Sequence, residues 1–154
     1  MKRTLLGLAL AMLAFGANAQ GRTANTAAAA YVSPYAPVDP SKMSDAAMRV
    51  AASIDRGGMA DMWDGASKAM QSRVKKKDFV ERIGELRKKL GPVVGRSWIV
   101  VHREKGGAGT TLPAGQYASV EFELAAASGV KAKELVSFTL DADGVWRVVG
   151  YTLR

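Results

Sequence analysis

The sequence predicts an α+β domain in which three helices precede a four-stranded antiparallel sheet. Two observations predict this class. Apolar residues recur at helical spacing before Pro92, and after Pro92 they alternate with polar residues at a period of two. A run of helices followed by a run of strands favours helices packed on one face of a curved sheet. With 154 residues, 48% of them hydrophobic, and no cysteine, the chain can form one core without disulfides.

The first 19 residues have the pattern of a secretory signal peptide. Lys2 and Arg3 precede an apolar run over residues 5–15, and Ala17-Asn18-Ala19 follows as a small-x-small cleavage motif. The apolar run is shorter than the roughly 20 residues that a bilayer core requires. We therefore expect cleavage after Ala19, a periplasmic or secreted product, and no membrane span after cleavage.

Residues 20–40 are predicted to be a disordered leader rich in alanine and proline. The stretch contains the run Ala27–Ala30 and prolines at 34, 37 and 40, so it has few side chains that could offset its ordering entropy. Docking of Tyr31 and Tyr35 on the domain or on a partner is the alternative. The folded domain then spans residues 41–154.

Three amphipathic helices are predicted at the start of this domain. The first begins with Ser44 as N-cap and ends at Gly57-Gly58. The second covers residues 59–71. The third begins near Asp78, which has a capping-box spacing to Glu81, and ends at Gly91-Pro92.

Four strands are predicted after Pro92, at residues 96–103, 117–124, 133–140 and 145–153. The last two are joined by a tight hairpin in which Gly144 adopts a positive φ. In that register, Trp146 and Val148 share a face with Leu140 and Phe138. We expect Trp146 to cap the core.

The residues that common catalytic sites require are missing. The chain has no cysteine, and its one histidine, His102, stands in a predicted strand without metal-ligand spacing around it. The segment Gly106–Thr111 lacks the Gly-Lys-Ser/Thr ending of a phosphate-binding loop. We therefore predict no catalytic residues, no metal and no cofactor.

Basic residues near the second and third helices form a predicted basic surface. Its members are Arg73, Lys75, Lys76, Lys77, Arg87, Lys88 and Lys89. Such a surface could attract anionic envelope polymers through summed potential. The alternative is a solvated face, because cations also favour the last turn of a helix. No aromatic residues alternate with these lysines, so specific nucleic-acid binding is not expected.

A pocket between the sheet and the helices is the other predicted site, suited to a small apolar ligand or an envelope protein. Its candidate residues are Trp63, Arg96, Trp98, His102, Tyr117 and Tyr151. Acid–base catalysis there would need a carboxylate in apolar surroundings, and Asp55, Asp61 and Asp64 are the acids to consider.

Several segments carry a family resemblance. They are Leu90-Gly91-Pro92-Val93-Val94-Gly95-Arg96, Leu112-Pro113-Ala114-Gly115-Gln116-Tyr117, Asp143-Gly144-Val145-Trp146-Arg147-Val148-Val149-Gly150-Tyr151, Asp55-Arg56-Gly57 and Met62-Trp63. Over about residues 44–154 the chain resembles the bacterial domain-of-unknown-function family numbered 4019. That family is similar to the cystatin-like, nuclear-transport-factor-2-like superfamily, which implies helices cradled by a curved sheet. The resemblance transfers no catalytic residues.

Three functions remain open. The first is a non-enzymatic binding or interaction domain of the bacterial cell envelope. The second is a small-molecule isomerase or dehydratase, of the kind that the superfamily includes, with a helical Asp and Tyr117 or Tyr151 in the cavity. The third is charge-driven binding of anionic envelope polymers. A dimer formed through the outer sheet face at Glu121, Glu123, Ser137 and Thr139 is also left open.

Overall fold

The computed structural model describes residues 33–154, which form four helices and four strands. The helices are α1 (Pro40–Asp55), α2 (Met59–Asp64), α3 (Lys68–Gln71) and α4 (Lys76–Leu90). The strands are β1 (Val93–Gly106), β2 (Gly115–Ala126), β3 (Lys131–Leu140) and β4 (Trp146–Leu153). The strands form one antiparallel sheet in the order β1-β2-β3-β4. This confirms the α+β class, while the curvature of the sheet and the superfamily stay predictions.

The first helix begins one turn earlier than the sequence predicted. Asp39 is its N-cap, and its carboxylate accepts hydrogen bonds from the backbone N–H groups of Ser41 and Lys42 at 2.9 and 3.3 Å. Pro40 occupies the first turn, where a missing N–H costs nothing. The prediction of Ser44 as N-cap was therefore wrong, and Ser44 lies within the helix with its side chain buried.

Two short helices stand where the sequence predicted one, so the prediction of a continuous helix over 59–71 was also wrong. The break falls between α2 and α3, where Ser67 caps α3 through its hydroxyl and is fully buried. The backbone N–H of Ser67 donates instead to the carbonyl of Val148 on β4, at 2.9 Å. A tertiary hydrogen bond to the sheet edge therefore replaces the continuation of the helix.

The sheet keeps the predicted hairpin and extends the first three predicted strands, while the fourth begins one residue later than predicted. Leu140 pairs with Trp146 and Phe138 pairs with Val148, and Gly144 has a φ of 77°. Strand β1 is longer than expected because its pairing with β2 continues to Gly106. A bulge between Trp98 and Val100 interrupts this pairing.

The core lies between the helices and one face of the sheet. Phe122 and Val120 of β2 and Val136 of β3 have no exposed surface, and Ile54 of α1 is 2% exposed. Trp146 is partly buried and packs against this core, as predicted. Among residues 33–154, no helix combines the length and hydrophobicity needed to span a bilayer.

The chain before α1 contacts the sheet. Pro34 and Ala36 form hydrogen bonds to the Gln116 side chain, and Tyr35 lies under the guanidinium of Arg103. Such contacts are those expected from docking of Tyr35 on the domain, and the disorder of residues 20–40 stays a prediction. The predicted signal peptide and residues 20–32 of the predicted leader lie outside the described residues.

We expect Phe122→Ala to lower the free energy of unfolding by about 3–5 kcal/mol, because the fully buried ring leaves a cavity in a packed core. Val94→Ala is the control, since Val94 is 69% exposed and its truncation should change stability by less than about 0.5 kcal/mol. Urea denaturation at pH 7 measures both. If the two variants lost similar amounts of unfolding free energy, the placement of the core would be contradicted.

Candidate functional site

A buried carboxylate lies at the centre of the largest polar cluster that we describe. Glu134 of β3 has no exposed surface, because it lies on the core face of the sheet beside Phe122. Its Oε2 atom accepts a hydrogen bond from Arg96 Nε at 2.6 Å. Its Oε1 atom accepts one from the Tyr151 hydroxyl at 2.5 Å. The charge is therefore neutralised where it is buried, as burial of an ion requires.

A second carboxylate and a second arginine complete the cluster. Arg96 also holds Asp55, at the end of α1, through two hydrogen bonds of 3.0 and 3.1 Å. Arg87 of α4 pairs with Asp55 as well, and its Nη1 atom lies 3.5 Å from Glu134 Oε1 without hydrogen-bond geometry. Two arginines thus balance two carboxylates, and the cluster connects α1 and α4 to β1, β3 and β4.

Tyr151 acts as a hydrogen-bond donor within the cluster. Burial, followed by the negative charge of Glu134, raises the pKa of Tyr151 well above its usual range, so its hydroxyl stays protonated and acts as a donor. Both oxygens of Glu134 are engaged by these partners. Asp55 and Arg87 also line a depression of about 420 Å³ beside the turn from α4 to β1, where they remain paired with each other. The arrangement is that of a structural ion cluster.

An apolar pocket of about 420 Å³ lies between α1 and the sheet. Its walls are Met43 and Ala46 of α1, Phe138 of β3 and Trp146 of β4, while Asp39 and Lys42 supply the polar groups. Pro37 and Val38, just before α1, complete the lining. The Asp39 cap fixes the start of α1, and the hairpin at Gly144 sets Trp146 opposite Leu140, so local structure at both sides forms this pocket.

The structure brings together two of the six predicted pocket residues. Arg96 and Tyr151 both contact Glu134. Trp98 and His102 are exposed on the edge strand β1.

The remaining two predicted pocket residues have local partners. Trp63 is partly buried, and its indole N–H donates to the carbonyl of Val74 at 2.9 Å. The Tyr117 hydroxyl donates to the carbonyl of Pro113 at 3.1 Å. Whether any of the six predicted residues binds a ligand stays a prediction.

Glu134 and the apolar pocket were missed by the sequence reasoning. One signal for Glu134 was present, because it stands two residues before Val136 in the alternating pattern and therefore on the buried face. Phe138 and Trp146 were expected as core residues, and no local pattern shows that they line a pocket with Met43 and Ala46 of α1.

The predicted basic surface is divided in the structure. Arg87 points into the buried cluster, with 11% of its side chain exposed. Lys76 pairs with Asp64 at 2.5 Å, and Lys77 lies 3.8 Å from Glu81. The remaining members, all exposed, are Arg73, Lys75, Lys88 and Lys89. Among residues 33–154, no group of three or more His, Cys, Asp or Glu side chains could hold a metal ion.

We expect Glu134→Gln to destabilise the fold by about 3 kcal/mol, because it leaves buried arginine charge without its counter-ion. Glu123→Gln on β2 is the matched control. Its ion pair with Lys131 is 3.2 Å long, but both side chains are at least half exposed, so the loss should be below about 1 kcal/mol. Urea denaturation at pH 7 compares the two. Equal losses would argue against a structural role for the cluster.

Comparison with known proteins places the domain in a family. A model of the family described as "Protein of unknown function (DUF4019)" matches residues 46–151, which include most of α1, the other helices and nearly the whole sheet. No curated protein matches the chain. Since the match covers more than half of the chain and includes the whole ion cluster, the chain belongs to the family of proteins of unknown function DUF4019.

Proposed function

We propose that this protein is an exported, non-enzymatic binding domain of the bacterial cell envelope, and that its ligand binds in the apolar pocket between α1 and the sheet. The proposal rests on the pocket itself. Its volume of about 420 Å³ is in the range of small-molecule sites, and its lining is apolar with two charged residues. Trp146, which is partly buried, offers aromatic surface to a ligand, and Lys42 and Asp39 supply charged groups beside it.

The state of the acidic residues supports binding over the isomerase or dehydratase alternative. Asp61 and Asp64 are exposed, and Asp64 pairs with Lys76. Asp55 is held by two arginines. The contact between Glu134 and Tyr151 comes nearest to an acid–tyrosine pair, but Glu134 is paired with Arg96, and burial keeps the Tyr151 hydroxyl protonated by raising its pKa. A general acid or base needs the freedom to change its protonation state.

The division of the basic residues lowers support for charge-driven binding. Arg87 serves an internal ion cluster, and Lys76 and Lys77 have acidic neighbours on the same surface. The exposed face of α4 also carries Asp78, Glu81 and Glu85. A mixed surface of this kind has a weaker summed potential than the sequence clusters alone suggest.

The pocket is tested by filling it. We expect the wild-type chain to bind an uncharged naphthylamine dye, whose emission rises in apolar surroundings. Ala46→Phe places a ring in the pocket and should weaken dye binding at least tenfold in a fluorescence titration. Ala46→Leu, a smaller filler, should give an intermediate loss.

Met48→Phe is the matched control for the pocket, because Met48 is on the same helix but is 37% exposed and does not line it. It should bind the dye as the wild type does. Circular dichroism checks that each variant unfolds at the same urea concentration as the wild type. A wild-type chain that does not bind the dye, or equal binding by Ala46→Phe, would overturn the proposed site.

Export is tested by the mass of the product. Expressed in a bacterial host with residues 1–19 present, the protein should appear in the periplasmic fraction with Gln20 as its first residue. Ala19→Arg should block this cleavage, because the signal peptidase requires a small residue there. Ala27→Arg lies outside the motif and should be processed normally. An intact leader on the wild-type protein would overturn export by cleavage.

A further inference from the structure

One edge of the sheet exposes three large apolar side chains that lie close together in the sequence. Val94, Trp98 and Ile99 are 69%, 55% and 43% exposed, and all three lie within six positions of β1. Isolated apolar residues are common on protein surfaces, whereas a group of them often marks a binding surface. In the described sheet β1 pairs with β2 alone, so the group borders a free edge. We call these three residues the apolar edge.

Two β-bulges shape the apolar edge. The pairing of β1 with β2 skips Val94 at the first bulge and Ile99 at the second, so neither residue has a partner on β2. A bulge bends its strand and changes the direction of the side chain at that position. Trp98, next to the second bulge, pairs with Phe122, yet it is 55% exposed whereas Phe122 is fully buried. The layer that covers Phe122 therefore does not extend over Trp98.

The same bulges argue against another β-strand as the occupant of this edge. A strand that joins a sheet needs regularly spaced N–H and C=O groups, and a bulge interrupts that spacing. Natural sheets use bulges and charged side chains to keep other strands off their edges. Charged residues at positions 94, 98 and 99 would serve that purpose without exposing apolar surface to water. The apolar residues found there instead fit an occupant that has apolar groups but no backbone to pair.

Basic residues flank the apolar edge on both sides. Lys88 and Lys89 are exposed in the last turn of α4, just before β1, and Arg103 and Lys105 are exposed towards the end of β1. Glu104 is the only acidic residue in the sequence of β1. Apolar side chains between cations complement an anionic lipid bilayer, in which acyl chains lie beneath negative headgroups. Tryptophan favours that interface, because its ring is apolar and its N–H is polar.

We propose that the apolar edge docks this protein on the surface of an anionic phospholipid bilayer. Trp98 lies at the level of the headgroups in this arrangement, and the flanking cations contact the lipid phosphates. The contact is peripheral, because only side chains of β1 and its flanks enter the interface. The inference goes beyond the proposed function, since no residue of the apolar edge lines the pocket beside α1.

The test mixes full-length protein with vesicles of equal parts phosphatidylglycerol and phosphatidylcholine that carry bromine on their acyl chains. Bromine quenches the emission of a tryptophan that enters the interface. We expect quenching of the wild type and its loss in Trp98→Phe, because Trp63 and Trp146 are partly buried. The apolar run over residues 5–15 contains no tryptophan, so its own insertion into lipid does not give this signal.

Substitutions beside Trp98 test the apolar contact with the same reporter. Ile99→Ser and Val94→Ser should each reduce the quenching at least threefold, because each removes an exposed apolar side chain from the edge. Val145→Ser is the matched control, since Val145 is 46% exposed but precedes β4 at the hairpin. It should be quenched as the wild type is. Circular dichroism checks that each variant unfolds at the wild-type urea concentration.

A pair of charge reversals tests the role of the cations. The double variant Lys88→Glu, Lys89→Glu should reduce the quenching at least threefold. The double variant Arg73→Glu, Lys75→Glu changes the net charge equally at the other end of α4 and should leave the quenching unchanged. Brominated vesicles of phosphatidylcholine alone should quench the wild type at least threefold less.

Absence of quenching in the wild type, or quenching that persists in Trp98→Phe, would refute this inference. Equal losses in the two charge-reversal variants would also refute it, because net charge alone would then explain the binding. Light scattering tests a second copy as the occupant. A concentration-dependent dimer of the wild type that is lost in Ile99→Ser would assign the apolar edge to self-association in place of lipid.

Discussion

Neutralising one buried carboxylate is the constraint on which the rest of this structure depends. Glu134 has no contact with solvent, so Arg96 and Tyr151 must reach it from β1 and β4. Desolvation of such a charge costs several kcal/mol, and good geometry with additional hydrogen bonds offsets that cost. A slip of one residue in β3 would move Glu134 to the outer face and separate it from these partners. The cluster therefore specifies strand register and helix position together, because Asp55 and Arg87 attach α1 and α4 to the same point.

The two ends of β3 have different roles in this arrangement. Glu134, near its start, is held in a charge-balanced cluster, whereas Phe138, about 13 Å further along the strand, lines an open apolar pocket. Rigid polar packing at one end can hold the helices on the sheet while the other end remains available to a ligand. The proposed binding function relies on this division, because a site built on fixed elements keeps its shape when it is empty.

The chain just before α1 takes part in the same arrangement. Pro37 and Val38 line the pocket, so this segment helps to shape the proposed site. The Gln116 side chain holds its backbone through two hydrogen bonds, and the guanidinium of Arg103 lies over the ring of Tyr35. The shape of the pocket therefore depends on contacts that this segment makes with β1 and β2.

The sequence by itself determined the order of helices and strands, the hairpin at Gly144 and the burial of Phe122 and Phe138. These follow from the spacing of apolar residues and from turn chemistry, which act over a few neighbouring positions. The break at Ser67 and the ion pairs of Glu134 were decided only by tertiary structure. The backbone N–H of Ser67 donates to Val148, 81 residues later in the chain, and Glu134 contacts partners on three other elements, β1, β4 and α4. The pocket also depended on the fold, because Met43 and Ala46 of α1 meet Phe138 and Trp146 of the sheet only when the chain is folded. Local periodicity contains no information about which distant groups will meet, so contacts of this kind appear only when the chain is folded.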